Sequence, residues 1–127
     1  MILQVAIQQM MIMKVALDYD GVISANWSHY FQLAADLYKS GHIVHILTGA
    51  KKDRADSINR RLLSMDFSFH QIHKRPENFI STPKNIGEWK KQILKQYNID
   101  LWFDNEVKIY EQAGVSFNDL DLAIVRI

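Results

Sequence analysis

The stretch "KVALDYDGVI", Lys14–Ile23, sets an apolar run directly against two carboxylates one residue apart, and a glycine follows. Read locally, Asp-Gly is a turn signal, and an aspartate after a strand bonds nearby backbone groups. Whether the pair does more depends on what else the fold brings to the same place.

Working outward, short apolar runs recur at Ile12–Leu17, Ile43–Leu47, Phe69–Ile72, Leu101–Phe103 and Leu122–Val125, and read as strands. Segments with helical spacing lie between them. One carries Phe31, Ala34, Ala35 and Tyr38 and stops at Ser40-Gly41; a second carries Ala55, Ile58, Leu62 and Met65. A third carries Ile86, Trp89, Ile93, Leu94 and Tyr97, and a short fourth ends at Ala113-Gly114. Strands alternating with helices imply crossover connections, hence an α/β fold of three layers, Rossmann-like, with a parallel five-stranded sheet and helices on both faces. In such sheets ligands bind beyond the carboxyl ends of the strands, where strand order reverses.

Composition bounds the rest. A chain of 127 residues that is 48% hydrophobic and 23% charged holds enough apolar material for one core. The expected division is a single domain over 11–127, with 1–10 an N-terminal extension or an edge strand. Fifteen basic against fourteen acidic residues, net +1, give no global polycation for nucleic acid. Absence of cysteine excludes disulfides, a thiolate nucleophile and cysteine metal sites, and makes the cytoplasm the default compartment. The apolar opening Met1–Leu17 is broken by Gln4, Gln8, Gln9 and Lys14 and has no basic leader, so neither a membrane span nor a signal peptide is expected.

Strand ends carry the chemistry. Asp18, Asp20 and Gly21 follow the first, Thr48 and Gly49 the second, and Asp104, Asn105 and Glu106 the fourth; the third helix carries Lys90 and Lys91. Acids, a hydroxyl and an ammonium at one sheet edge suit phosphoryl transfer through an aspartate, one carboxylate attacking phosphorus and the other acting as acid and then base. Acids facing a phosphate dianion call for a hard cation, Mg2+, with lysine and hydroxyl completing charge neutralisation.

At these residues the chain resembles the haloacid dehalogenase (HAD) superfamily of phosphohydrolases. "LDYDGV" is similar to its first motif, "HIVHILTG" to its second, Lys90 in "EWKKQIL" to its third, with Lys91 the competitor, and "LWFDNE" to its fourth. The resemblance implies a Mg2+-dependent phosphomonoester hydrolase acting through an aspartyl phosphate. Asp18 would be the nucleophile and Asp20 the acid and base, with Thr48, Gly49 and Lys90 holding phosphate. Asp18, Asp20, Asp104 and Asn105 would hold the metal. Asn105 stands where the fourth motif often has a second acid. Only Val22–Gly41 and Gly49–Trp89 are available for a cap, and both are used by expected elements, so no sizeable cap domain is expected. "HKRPENFISTPKNIGEWKKQIL" is also reminiscent of the phosphatase half of polynucleotide kinase-phosphatases. The implied partner is a phosphorylated substrate, either a small molecule or a nucleic-acid end, with no membrane; homo-oligomer formation is left open. The alternative is a catalytically weak binding or assembly module, which Asn105 favours. A response-regulator receiver is disfavoured because His73, Lys74 and Arg75, not an acid, follow the third strand. A two-metal nuclease explains Thr48 and the lysine poorly.

The run "KKDRADSINRR" adds Lys51, Lys52, Arg54, Arg60 and Arg61 beside the second strand, and Lys74, Arg75 and Lys84 extend that positive flank. His42, His45, His70 and His73 read as structural, and Trp27, Tyr30 and Phe31 as core.

Overall fold

The computed structural model describes residues 12–127, so the reading of residues 1–10 lies outside the described residues. Five strands, β1 (Lys14–Asp18), β2 (Ile43–Thr48), β3 (Gln71–Lys74), β4 (Leu101–Asp104) and β5 (Ala123–Arg126), form one parallel sheet in the order β3-β2-β1-β4-β5. The connecting helices are α1 (Trp27–Lys39), α2 (Lys52–Ser64), α3 (Pro83–Gln96) and α4 (Val107–Gln112). The α/β class and the parallel five-stranded sheet are as the sequence pattern requires, and no sizeable cap interrupts the described residues.

Both faces of the sheet are covered, which is why β1 and β2 read as continuous apolar runs rather than alternating ones. On one side Val15, Leu17, Val44 and Ile46 pack with Tyr30 and Ala34 of α1 and Ala55, Ile58 and Leu62 of α2. On the other, Ala16, Leu47 and Trp102 pack with Leu94 of α3 and Val107 and Tyr110 of α4. Tyr30 is buried, Trp27 and Phe31 of α1 stack on one another, and Phe67 meets both edge to face, so these aromatics serve packing.

Chain order turns back beside β1: the path runs outward through β2 to β3, then crosses to β4 on β1's other side. The carboxyl ends of β1, β2 and β4 therefore border one crevice. After β1 the backbone makes a tight irregular turn, Tyr19–Ile23, in which Gly21 takes φ +80°. A Cβ there would fall 2.0 Å from Nδ2 of the exposed Asn105 side chain, which could turn aside, so it is the positive φ that calls for glycine.

Thr82 caps α3, its hydroxyl accepting the Asn85 N–H at 3.1 Å, and Pro83 follows at the first helical position. Its inner face presents Ile86, Gly87, Lys90 and Leu94, spaced three and four apart. Gly87 lets α4 approach: an added Cβ would lie 2.8 Å from Tyr110 Cβ and 3.1 Å from Val115 Cγ2. Gly87→Ala should therefore destabilise the protein. Overpacking costs about 1–3 kcal/mol, and the better helix propensity of alanine returns about 1 kcal/mol of it. Urea unfolding measures the balance; unchanged or raised stability would show that Tyr110 yields without cost.

Candidate functional site

Lys90 is the hub. Its Nζ donates to Asp18 Oδ1 at 2.9 Å, to Asp104 Oδ2 at 2.7 Å and to the Tyr110 hydroxyl at 2.8 Å. Its three protons are thereby matched by three acceptors drawn from β1, β4 and α4. Asp18, Lys90 and Asp104 are all buried. The other oxygen of Asp104, Oδ1, accepts the Glu106 N–H at 2.8 Å, and Tyr110 in turn donates to Glu106 Oε2 at 3.3 Å. Lys91, one residue along, points away and pairs with Asp119 at 3.0 Å. A step of one residue turns a helix by about 100°, which separates the two lysines.

One cation serving two carboxylates leaves the charge incompletely balanced. Burial is the largest influence on Asp18 and raises its pKa; Lys90 opposes and the Asp104 charge adds, leaving it at about 7. Burial alone would lower Lys90, but Asp18 and Asp104 override it and hold the ammonium above the ordinary lysine range.

The remaining expected residues are placed as follows. Asp20 accepts from both terminal nitrogens of Arg54, Nη1 at 2.9 Å, and sits at the cleft mouth. Thr48 is wholly buried, and its hydroxyl accepts the Ala50 N–H at 3.2 Å, holding the loop after β2 in shape. Gly49 lines the cleft. Asn105 is exposed over Gly21. The structure thus gathers Asp18, Lys90 and Asp104 into one buried cluster, with Asp20 and Gly49 at its rim, and turns Thr48 inward.

Asp18, Asp20, Gly49, Ala50, Arg54, Ile86, Lys90, Glu106 and Tyr110 enclose a cleft of about 160 Å³. Ala50, Arg54, Ile86, Glu106 and Tyr110 are its members that sequence reasoning did not assign to the site. Arg54 was visible only as one charge in a basic run. Tyr110 was hidden because its approach depends on Gly87 of another helix. Among the described residues no three histidine, aspartate or glutamate side chains gather as a group able to hold a metal ion.

No protein-family model matches the chain, and no curated protein matches it. A search of solved structures finds the crystal structure of a universal stress protein in complex with cAMP, 15% identical, with a TM-score of 0.52 over 91% of this chain and 97% of that one. At that identity the likeness is one of fold, and it supports the Rossmann-like α/β assignment.

The comparison also corrects the reading drawn from the motifs. A matching solved structure is a universal stress protein rather than a HAD phosphatase, and no family model supports that superfamily. Membership of the HAD superfamily, the phosphomonoester hydrolase function through an aspartyl phosphate and the enzyme assignment are accordingly withdrawn, and with them the hydrolase and phosphatase descriptions. Geometry gives a physical reason for the misreading. The carboxylates at the ends of β1 and β4 converge as expected, but the cation between them is the protein's own Lys90, and Asp20 has its own partner in Arg54.

A group whose folded pKa is raised contributes stability that is present below its unfolded value and is lost as pH rises through the folded one. For Asp18, between 3.8 and about 7, the contribution is of order 4 kcal/mol. His45 and His73, stacked with ring nitrogens 2.9 Å apart, run oppositely: burial lowers both, His73 to about 4, so their contribution is present above the unfolded value and lost as pH falls. Comparing Asp18→Asn with wild type cancels the histidines. The variant should gain roughly 2–3 kcal/mol relative to wild type between pH 5 and pH 8. Urea unfolding at the two pH values checks it, and parallel losses in both proteins would refute a neutral Asp18.

Proposed function

We propose that the protein is a binding module for a small phosphorylated ligand of the nucleotide class, seated in the cleft over β1, β2 and β4. The cleft's position at the reversal of strand order carries this reading, since that is where open α/β sheets take ligands. The fold likeness to a protein solved with a bound cyclic nucleotide supports the same class. Gly49 and Ala50 lead into α2, whose cap residue Lys51 makes no side-chain bond to the first turn, leaving that turn's N–H groups for a phosphate. Arg54, in the first turn, adds a fork-shaped cation. Asp20 and Glu106 offer acceptors for ribose hydroxyls, and Ile86 an apolar lip.

Ionised, the lining counts three acids, Asp18, Asp20 and Glu106, against two cations, Arg54 and Lys90. A bare phosphate meets an acidic rim, whereas a phosphate carrying a cation meets a complementary one. Asp18 and Asp104 each give one oxygen to Lys90, so these residues do not form a closed cation cage. Mg2+ fits this reading as an ion that arrives on the ligand's phosphate and keeps most of its waters.

Titration calorimetry with cAMP, AMP, ADP, ATP and inorganic phosphate, each with and without Mg2+, tests the proposal. At least one nucleotide should bind with Kd below about 1 mM. Arg54→Ala should weaken it about tenfold or more, as loss of a charged hydrogen bond does. Silence across the panel from folded protein would sink the reading.

A further inference from the structure

A second concavity lies one step along the chain from the cleft. Lys51, Lys52, Arg75, Pro76, Glu77 and Phe79 line a groove of about 440 Å³ beside the carboxyl ends of β2 and β3. Cleft and groove are bordered by four successive residues: Gly49 and Ala50 border the first, Lys51 and Lys52 the second. Their charges are opposite in balance. The groove has three cations against Glu77, while the cleft has more acids than cations.

The groove's side chains are suited to a nucleotide's two halves. The Arg75 guanidinium lies over the half-buried Phe79 ring, 5.7 Å from its centre, so a base that stacks on the ring takes the place of a cation that is then free to meet phosphate. Lys52 pairs with Glu77 at 2.8 Å, both side chains being about two-thirds exposed. Exposed pairs of this kind are weak, so the lysine can turn to a phosphate at little cost. Lys74, by contrast, is held on Asp56 at 2.7 Å and does not line the groove. The cleft alone, at about 160 Å³, is smaller than the sites of about 300–1,000 Å³ that enclose whole small-molecule ligands. A ligand seated there extends beyond it, and the groove is the adjoining concavity.

We propose that the groove is a second subsite of the same site, and that together they take a single-stranded oligonucleotide. Its terminal nucleotide occupies the cleft, its next phosphate lies among Lys51, Lys52 and Arg75, and the neighbouring base stacks on Phe79. The proposal rests on the cleft being a nucleotide site, and the test separates the two claims.

Fluorescence anisotropy with a fluorescein-labelled single-stranded hexanucleotide, competed by the matching mononucleotide and by inorganic polyphosphate of equal charge, reads both subsites. The hexanucleotide should bind about tenfold or more tighter than the mononucleotide, and the double variant Lys52→Gln with Arg75→Gln, which leaves the α2 cap residue intact, should abolish that gain while leaving mononucleotide affinity unchanged. Phe79→Ala should cost about tenfold for the hexanucleotide, the usual worth of one stacked base. Affinity should fall with salt at a log–log slope of about −1.4, two phosphates at about 0.7 each, and flatten in the double variant. Equal affinity for hexanucleotide and mononucleotide would overturn the groove and leave the cleft reading standing. A hexanucleotide that binds and responds to the double variant while the mononucleotide does not bind would overturn the cleft reading instead. Polyphosphate competing as well as the hexanucleotide, with Phe79→Ala neutral, would overturn nucleic acid in favour of a general polyanion, and binding by neither nucleotide would overturn both claims.

Discussion

The three hydrogen bonds of Lys90 tie together the parts on which the cleft depends. Asp18 ends β1, Asp104 ends β4, Tyr110 belongs to α4 and the lysine itself to α3, so one ammonium fixes two strands and two helices at the point where the sheet reverses. Each member is expensive to bury alone, since an unpaired charge in the interior costs several kcal/mol. Together they are compensated, and the cluster leaves only the outer oxygens and the rim residues to meet a ligand. Gly87 belongs to the same device at one remove, because its lack of a side chain leaves room for Tyr110 to pack against α3 where it meets the lysine.

Much of the fold was legible because it rests on local patterns. β2 and β4 lie where their apolar runs predict, within a residue; α3 carries its expected face, while Tyr38 of α1 and Met65 just after α2, expected to face inward, are exposed. β3 is displaced from Phe69–Ile72 to Gln71–Lys74 because Phe69 packs against the core while the ladder with β2 begins at His45 and Gln71. The histidines, read as structural, largely serve backbone and packing: His42 and His70 accept the N–H groups of Met13 and Val44, and His45 stacks on His73. What escaped depended on pairs distant in sequence. Nothing near Arg54 announces that it reaches Asp20 across 34 residues, and nothing near Lys90 decides against Lys91 until the rotation of α3 is known.

The function inferred from the motifs failed for a reason built into parallel α/β sheets. Every strand points the same way, so polar residues after successive strands meet at one edge whatever ligand is held there. Acids, a hydroxyl and a lysine in that order therefore report where a site is with more authority than they report what it does. Side-chain pairing carries the missing information. A buried carboxylate that already shares an internal ammonium, and a rim carboxylate already forked to an arginine, present a different surface from a set of unpaired acids of the same spacing.

That pairing also explains why charge is distributed as it is across the sheet edge. The cleft holds its cations inside ion pairs, which makes it close to self-neutral and narrow, while the flank after β2 and β3 leaves Lys51 and Arg75 outside any ion pair among the described residues. An anion approaching from solvent is drawn first to that flank, where the potential is positive, and only then to the acid-rimmed crevice. A ligand with one uniform charge would satisfy one of these surfaces and be opposed by the other. A ligand that alternates hydroxyl-bearing and phosphate-bearing parts along a chain suits both, because the two surfaces meet at the single loop from Gly49 to Lys52 that they share.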